Sequence, residues 1–344
     1  MKSNLFLEEY EKIKEDLADN WKLFKNKSIL ITGATGLVGS YLTNFLIYLN
    51  NKLSLNIKLY CMSRNIEKLK SLFNDNVIYI VKDLNNTIFT LDFEPDYIIH
   101  CASNTHPLAY SKFPVETLKT NLLGTISLLE SIKEKKCKFI FLSTCQIYGN
   151  NTSSDAFSED DYGICNSKDV RSCYNESKRA AETTCVCYGE EYNVNFNVLR
   201  LPSIYGANFS SESSKFDVQF FKNAINSENI IMKSDGLRKR SFLYVGDVVE
   251  SIFFIIFNGK NREFYNVAND EVKTIKDFAN ILAKTAGVDI IFQIPDSIES
   301  KGYSKNGNEI ISGEKLMSLG WKSNYNLESG IKRTYYLLKN IHNE

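Results

Sequence analysis

The sequence predicts an α/β protein with a doubly wound, Rossmann-like parallel sheet and a smaller C-terminal α/β region. Three observations support this. Short apolar strands alternate with amphipathic helices across residues 28–201. A glycine-spaced turn at 33–39 lies between the first strand and the first helix of that series. After Ser203 the alternation loosens, and Gly, Ser, Asn and Lys separate shorter apolar runs.

The predicted elements follow one another in a regular order. Residues 1–26 form an N-terminal helical extension, with one amphipathic helix at 5–23 that serves packing or oligomer contacts. The first strand at 28–32 and the helix at 37–49 open a βαβ unit. Further strands are predicted at 58–62, 77–81, 97–100, 138–142 and 196–201, and further helices at 114–134 and 174–188.

The same pattern predicts the domain organisation. Residues 27–202 form the Rossmann domain, and residues 203–344 form mainly a substrate-binding region. We expect one or more segments of that region, residues 265–267 among them, to return to the Rossmann core.

Composition excludes several classes of partner. The 344 residues contain 41 basic and 41 acidic side chains, so no net charge attracts nucleic acid or an anionic membrane. The first 20 residues are acidic throughout and lack the apolar run of a signal peptide. The apolar stretch at 252–257 is far shorter than the about 20 residues of a membrane span. Eight scattered cysteines without framework spacing indicate reduced thiols and a cytoplasmic protein, and no metal site is expected.

The glycine turn is suited to a dinucleotide. Between a strand and a helix, closely approaching backbone N–H groups and the helix N-terminus bind a pyrophosphate. Gly33, Gly36 and Gly39 have this placement with G-x-x-G-x-x-G spacing, and Thr35 and Leu37 lie within the same turn.

The end of the second strand selects the cofactor. An acidic residue there accepts from the ribose of NAD, whereas a cation pairs with the 2′-phosphate of NADP. Ser63 and Arg64 occupy this position without an acid, which favours NADP(H) over NAD(H), unless Arg64 is only a solvated surface residue. Asp83 either contacts the adenine or caps the next turn, and Leu84 and Ala102 complete the predicted cofactor contacts.

A Tyr-x-x-x-Lys pair indicates proton transfer. Tyr174 and Lys178 are about one helical turn apart, so the phenol and the ammonium share a face and the cation favours the phenolate. Thr144 follows a strand and is the hydroxyl expected beside Tyr174, although such a threonine is often only a local cap. Asn121 either holds a water that relays a proton from Lys178 or makes a polar contact inside its helix.

Several ordered motifs resemble one family. ITGATGLVG, TNLLGT, STCQIYG, CYNESKRAAE, LRLPSIYG and KRSFLYVGDV are similar to the extended short-chain dehydrogenases of the nucleotide-sugar epimerase and dehydratase group, from about residue 27 to the C-terminus. The resemblance implies that Thr144, Tyr174 and Lys178 are catalytic and that residues 33–39 bind NAD or NADP. It also implies that Arg240 binds the diphosphate of the substrate, as a planar bidentate donor can.

Departures from the family pattern bear on the reaction. Family members that eliminate water carry an Asp-Glu pair after the catalytic threonine, and uronate decarboxylases carry a Glu at the second of these positions. This chain has Cys145 and Gln146, and glutamine has no titratable proton. Cys145 is expected to pack and not to act as an acid or base. Ser203 replaces an Asn found in many relatives, and Gln146 and Ser203 remain expected substrate contacts.

These residues favour hydride transfer at sugar C4. The first expectation is a nucleotide-4-keto-6-deoxyhexose reductase that consumes NADPH, with a nucleotide-sugar C4 epimerase as the alternative. A dehydratase, a UDP-glucuronate decarboxylase and a non-catalytic dinucleotide-binding protein are further alternatives. The expected partner is a nucleotide-diphosphate sugar, and the family resemblance makes a homodimer possible.

Overall fold

The computed structural model describes residues 6–86, 88–105, 107–149, 155–209, 213–293 and 307–343. The strands are β1 (Ser28–Thr32), β2 (Lys58–Ser63), β3 (Ile78–Val81), β4 (Tyr97–His100), β5 (Lys138–Thr144), β6 (Asn195–Leu201), β7 (Ser203–Tyr205), β8 (Ile230–Met232), β9 (Lys239–Tyr244), β10 (Glu263–Asn266), β11 (Val272–Thr274) and β12 (Ile290–Phe292). The central sheet has the order β10-β6-β5-β4-β1-β2-β3, and its neighbouring strands are parallel. The predicted Rossmann-like fold is confirmed.

Helices flank the central sheet and the two small sheets of the C-terminal part. They are α1 (Leu7–Asp16), α2 (Leu37–Leu53), α3 (Ile66–Phe73), α4 (Pro107–Lys112), α5 (Pro114–Ile132), α6 (Ser172–Tyr192), α7 (Phe216–Ile225), α8 (Val245–Asn258), α9 (Ile275–Ala286), α10 (Glu314–Ser318) and α11 (Leu327–Asn343). The elements predicted between residues 28 and 201 are present, with ends that differ by up to four residues. The short helices α3 and α4 were not predicted.

The strand order places a ligand crevice beside β1. From β1 the chain adds β2 and β3 on one side, and then crosses to add β4, β5 and β6 on the other. Loops that leave neighbouring strands in opposite directions open a crevice at the carboxyl ends of the strands. The glycine turn after β1 and the loop after β4 face each other at this point.

The C-terminal part adds two small sheets and one strand of the main sheet. Strands β11, β9 and β7 form one small sheet, and β12 pairs with β8 in the other. Tyr265, within the predicted returning segment, lies in β10, which extends the central sheet by pairing with β6. The chain after Ser203 therefore covers the crevice and also completes the Rossmann sheet.

The N-terminal extension is not one continuous helix, so that prediction is wrong. Helix α1 ends at Asp16, and a 3₁₀ helix follows at Ala18–Phe24. Ala18 has a φ of 48°, which an α-helix cannot accommodate. The indole of Trp21 donates to the carbonyl of Lys14 at 2.9 Å and stabilises the break. Both segments pack into the core, where Trp21 contacts Phe253 edge to face.

No helix among the described residues combines the length and the apolar character that crossing a bilayer requires. Nor does any group of three or more His, Cys, Asp or Glu side chains within those ranges have an arrangement that could hold a metal ion.

A buried pair of carboxylates makes stability depend on pH. Burial raises the pKa of Asp247 to about 7, and burial together with the charge of Asp247 raises the pKa of Glu250 to about 8. A carboxyl group whose pKa is higher in the folded than in the unfolded state stabilises the fold when it is protonated. This stabilisation is complete below the unfolded-state pKa and is lost as pH rises through the folded-state pKa. We expect the melting temperature to fall between about pH 5 and pH 8.

The variant Glu250→Gln tests this prediction. Glutamine keeps the side-chain shape and carries no charge, so the variant should melt at a higher temperature than the parent at pH 8 and show a flatter pH profile. Glu328→Gln, on an exposed ion pair with Lys332, is the control and should leave the profile unchanged. Parallel profiles for the parent and Glu250→Gln would contradict the assignment.

Candidate active site

The glycine turn has the backbone shape of a pyrophosphate site. Gly33 has a φ of 65°, and a Cβ there would lie 2.7 Å from the Cα of Ala102, so only glycine fits. A Cβ on Gly39 would lie 2.3 Å from the carbonyl oxygen of Gly33. Gly36 caps the N-terminus of α2 and donates its N–H to Gly33 at 2.9 Å. The tight turn leaves the helix N-terminus open toward the crevice.

Arg64 is engaged in an ion pair. Its guanidinium donates at 2.5 Å to Glu116, on the first turn of α5, and Glu116 also accepts from Asn104 at 3.3 Å. The hydroxyls of Ser63 and Thr35 lie 3.3 Å apart at the same end of the crevice. A carboxylate is therefore present near this end, supplied by α5 and not by β2. The Arg64 side chain is 56% exposed, so Arg64 is a surface residue that has a carboxylate as its partner.

Asp83 caps its own turn. One carboxylate oxygen accepts from the backbone N–H of Asn85 at 3.0 Å, as one of the two alternatives for this residue predicts. Asp83 also lines the crevice, and Leu84 beside it is buried against Gly124.

Tyr174 lies on the first turn of α6, at the floor of the crevice. Its ring stacks on Tyr110 with centroids 4.8 Å apart, and its phenol is hydrogen-bonded to the side chains of Thr144 and Ser103. Burial raises the pKa of Tyr174 to about 12, against the lowering effect of these hydrogen bonds. The phenol is therefore protonated at neutral pH and is ready to donate to an oxygen bound above it.

Lys178 is one turn further along α6 and deeply buried. Its ammonium donates to the carbonyl of Leu142 at 2.7 Å and lies 4.5 Å from the centre of the Phe141 ring. Burial lowers the pKa of Lys178 to about 8. Burial opposes charge on both groups. That Lys178 favours the phenolate of Tyr174 stays a prediction.

Asn121 lies beneath the crevice. Its amide donates to Ser177 at 2.9 Å and accepts from Ser103 at 2.7 Å, so Ser103 links Asn121 to the phenol of Tyr174. Its backbone carbonyl accepts from Thr125 at 2.6 Å. The side chain of Asn121 therefore joins α5 to α6 and to the loop after β4, and is not confined to contacts inside its own helix. The water relay stays a prediction.

The opposite wall carries positive charge. Arg240 pairs with Glu309 at 3.0 Å and donates to Ser203 at 3.3 Å. Burial, together with the charges of Arg240 and Arg171, lowers the pKa of Arg238, so the three guanidinium groups lie near one another. Arg171 also lies 5.9 Å from the ring centre of Tyr110. This wall suits an anion.

The two residues after Thr144 both line the crevice and differ in their packing. Cys145 packs in a small cluster with Ile147, Tyr148 and Ile311. Burial raises the pKa of the Cys145 thiol to about 12, so the thiol stays protonated and packs as expected. Gln146 donates its backbone N–H to the hydroxyl of Thr144 at 3.3 Å and lines the crevice.

One cavity of about 1780 Å³ brings the predicted residues together, Asn121 excepted. The predicted residues that line it are Gly33, Thr35, Gly36, Leu37, Gly39, Ser63, Arg64, Asp83, Leu84, Ala102, Thr144, Gln146, Tyr174, Lys178, Ser203 and Arg240. Sequence reasoning missed Ser103, Tyr110, Arg171, Glu116 and Glu309. Of these, Arg171 carries a local signal, since it lies three residues before Tyr174 at the start of the same helix.

Comparison with known families decides the membership. Residues 29–268 match the family described as NAD dependent epimerase/dehydratase. The chain belongs to this family. It is 30% identical over 310 residues to UDP-glucuronic acid decarboxylase 1 of Danio rerio, covering 90% of this chain and 72% of the relative. It is also 27% identical to UDP-glucuronic acid decarboxylase 6 of Arabidopsis thaliana, covering 91% and 89%.

Solved structures of family members share the fold. The UDP-glucose 4-epimerase of Thermotoga maritima superposes with a TM-score of 0.77 at 21% identity, covering 92% of this chain and 99% of that one. The dTDP-glucose 4,6-dehydratase of Bacillus anthracis, solved with NAD, gives a TM-score of 0.75 at 22% identity, covering 92% and 98%. The protein is an NAD(P)-dependent enzyme of the short-chain dehydrogenase type, as the motifs predict.

Proposed function

We propose that the protein oxidises C4 of a nucleotide-diphosphate sugar with a resident nicotinamide cofactor and reduces the same carbon again before product release. The main support for this proposal is the position of the Tyr174 phenol. The phenol is buried, protonated and hydrogen-bonded to Thr144, on the floor of a cavity that runs from the glycine turn to the arginine wall. A sugar hydroxyl above Tyr174 would lie between a dinucleotide site and a diphosphate site.

The residues fit the cofactor. Gly33 and Gly39 approach neighbouring backbone too closely for a Cβ, which keeps the turn tight, and the N-terminus of α2 offers N–H donors to a pyrophosphate. When bound, the nicotinamide supplies the hydride acceptor and donor, and its positive charge favours the phenolate of Tyr174. Lys178 holds a buried positive charge on the same helix face. Thr144 orients the sugar oxygen, and Tyr174 moves its proton.

The substrate class follows from the charge of the opposite wall. The diphosphate carries about two negative charges and matches the guanidinium groups of Arg171, Arg238 and Arg240. Family relatives are named for UDP-glucuronic acid, and solved neighbours were crystallised with UDP-glucose and UDP-glucuronic acid. These names support a nucleotide sugar as the substrate here.

The ion pair of Arg64 favours oxidation and re-reduction of C4 by one bound cofactor over a net reduction by NADPH. The expectation of an NADPH-consuming reductase rests on Arg64 as a free partner for a 2′-phosphate. In the structure Glu116 pairs with the partly exposed guanidinium of Arg64, which brings a carboxylate next to the end of β2, where an acid favours NAD. Solved neighbours also hold NAD. The 4-keto sugar reductase remains the second candidate, because Arg64 lines the cavity.

Cofactor stoichiometry tests the proposal. Purified protein is incubated with UDP-glucose, UDP-glucuronic acid or dTDP-glucose and a catalytic amount of NAD, and products are separated by chromatography. We expect turnovers in excess of the cofactor, with no net change in nicotinamide absorbance. A parallel assay supplies UDP-4-keto-6-deoxyglucose with NADPH. Stoichiometric loss of NADPH there, with no turnover in the first assay, would establish the reductase instead.

A further inference from the structure

Glu309 is a buried carboxylate inside the cavity, on the wall opposite the glycine turn. Its side chain is only 6% exposed. Backbone hydrogen bonds on both sides fix it, because its N–H donates to the carbonyl of Lys239 at 2.9 Å and its carbonyl accepts from Ser241 at 3.0 Å. The segment that carries Glu309 thus runs along β9.

The same segment packs against the turn that follows Thr144. Ile311, two residues after Glu309, packs with Cys145 and Tyr148. After burial, the charge of Glu309 is among the causes that raise the pKa values of Tyr174 and Cys145. Glu309 and Tyr174 line the same cavity, so a sugar ring bound over Tyr174 would share that space with the carboxylate.

Arg240 pairs with the carboxylate of Glu309 and keeps N–H donors for a second partner. Nη1 of Arg240 contacts Glu309 at 3.0 Å and Ser203 at 3.3 Å, while Nε is buried without a partner among the described residues. A guanidinium has five N–H donors in a planar fork, so Arg240 can bind a phosphate and hold Glu309 together.

A ketone at C4 of the sugar offers a reaction that a buried carboxylate can catalyse. A ketone at C4 acidifies the C–H bonds of the neighbouring carbons, and Gln146, at the position where relatives carry a carboxylate, has no titratable proton. We propose that Glu309 is the catalytic base and acid that removes and returns a proton on a carbon adjacent to the C4 carbonyl. This proposal rests on the proposed function, since it requires a 4-keto nucleotide sugar.

The step is balanced. The carboxylate oxygen of Glu309 takes the proton, and the C–H electron pair forms the C=C bond of an enolate whose negative charge rests on the C4 oxygen. The hydroxyls of Tyr174 and Thr144 both line the cavity and would donate to this oxygen when the enolate is bound. Return of the proton by Glu309 restores the ketone and the free carboxylate.

Solvent exchange tests this step without any hydride transfer. UDP-4-keto-6-deoxyglucose is incubated with the full-length protein in heavy water, and deuterium on the carbons next to C4 is followed by mass spectrometry and NMR. The parent should incorporate deuterium well above the rate without protein. Glu309→Gln should lower this exchange by about 100-fold, Glu309→Asp should restore part of it, and Glu314→Gln, on an exposed neighbour, should match the parent.

Two results would overturn the role of Glu309. One is equal exchange by Glu309→Gln and the parent. The other is loss of exchange together with weaker binding of UDP by calorimetry, which would make Glu309 a positioning residue for Arg240. A failure of the proposed function has a different signature: no nicotinamide reduction by any nucleotide sugar, while exchange on the added ketone is still measured.

Discussion

Replacing Tyr174 by phenylalanine is expected to lower kcat by about 100- to 10,000-fold, because general acid–base catalysis of proton transfer contributes this much. In the proposed reaction the phenol donates a proton to, or accepts one from, the C4 oxygen. Phenylalanine keeps the stacking on Tyr110 at 4.8 Å and removes only the hydroxyl bonded to Thr144 and Ser103. The measurement is turnover of UDP-glucose and UDP-glucuronic acid by chromatography, with cofactor affinity from fluorescence quenching.

Tyr162→Phe is the matched control, since Tyr162 is 93% exposed and loses the same hydroxyl. It should retain parental kcat. Cofactor affinity of Tyr174→Phe should stay close to parental as well, because the glycine turn is untouched. Normal turnover by Tyr174→Phe would remove Tyr174 from the mechanism.

The largest effect on folding is expected from the buried pair of Arg200 and Glu182. The guanidinium donates to Glu182 through Nε at 3.2 Å and Nη2 at 2.9 Å, and through Nη1 to the hydroxyl of Tyr148 at 2.8 Å. Glu182→Ala leaves the buried cation without its counter-ion. We expect a loss of about 3–5 kcal/mol in the free energy of unfolding. Urea denaturation followed by circular dichroism measures this loss.

An exposed pair provides the comparison. Glu190 pairs with Arg262 at 3.4 Å with a side chain that is 75% exposed, so Glu190→Ala should cost about 0–1 kcal/mol. The double variant Glu182→Leu with Arg200→Met should recover much of the stability lost by Glu182→Ala, since it removes the unpaired charge. Equal losses for Glu182→Ala and Glu190→Ala would show that burial does not strengthen the Arg200 pair.

The parts of the site that the sequence predicts are those carried by local geometry. Gly33 and Gly39 need close backbone approach within a few residues of one turn, and the alternation of strands and helices around them predicts the parallel sheet. The four-residue spacing of Tyr174 and Lys178 likewise places both on one helix. These features can be predicted because the residues that form each of them are close together in the sequence.

Contacts between distant segments could not be predicted. Glu116 meets Arg64 across 52 residues, and Glu309 meets Arg240 across 69 residues, so no spacing rule links them. These two carboxylates nevertheless change which cofactor and which reaction we propose for the site. Glu116 gives Arg64 an acidic partner from outside β2, and Glu309 places a buried carboxylate in the cavity that Gln146 also lines. The burial that sets the pKa values of Tyr174 and Lys178 is also a tertiary effect.

The transfer of hydrogen from sugar C4 is the central claim, and an isotope can follow it directly. A nucleotide sugar with deuterium at C4, such as UDP-glucose or UDP-glucuronic acid, is mixed with stoichiometric protein and NAD, and the quenched mixture is analysed by mass spectrometry. We predict deuterium on the nicotinamide ring in the quenched intermediate and on the sugar in the released product. Product formation with deuterium held on the sugar throughout, and none on the nicotinamide, would contradict the account.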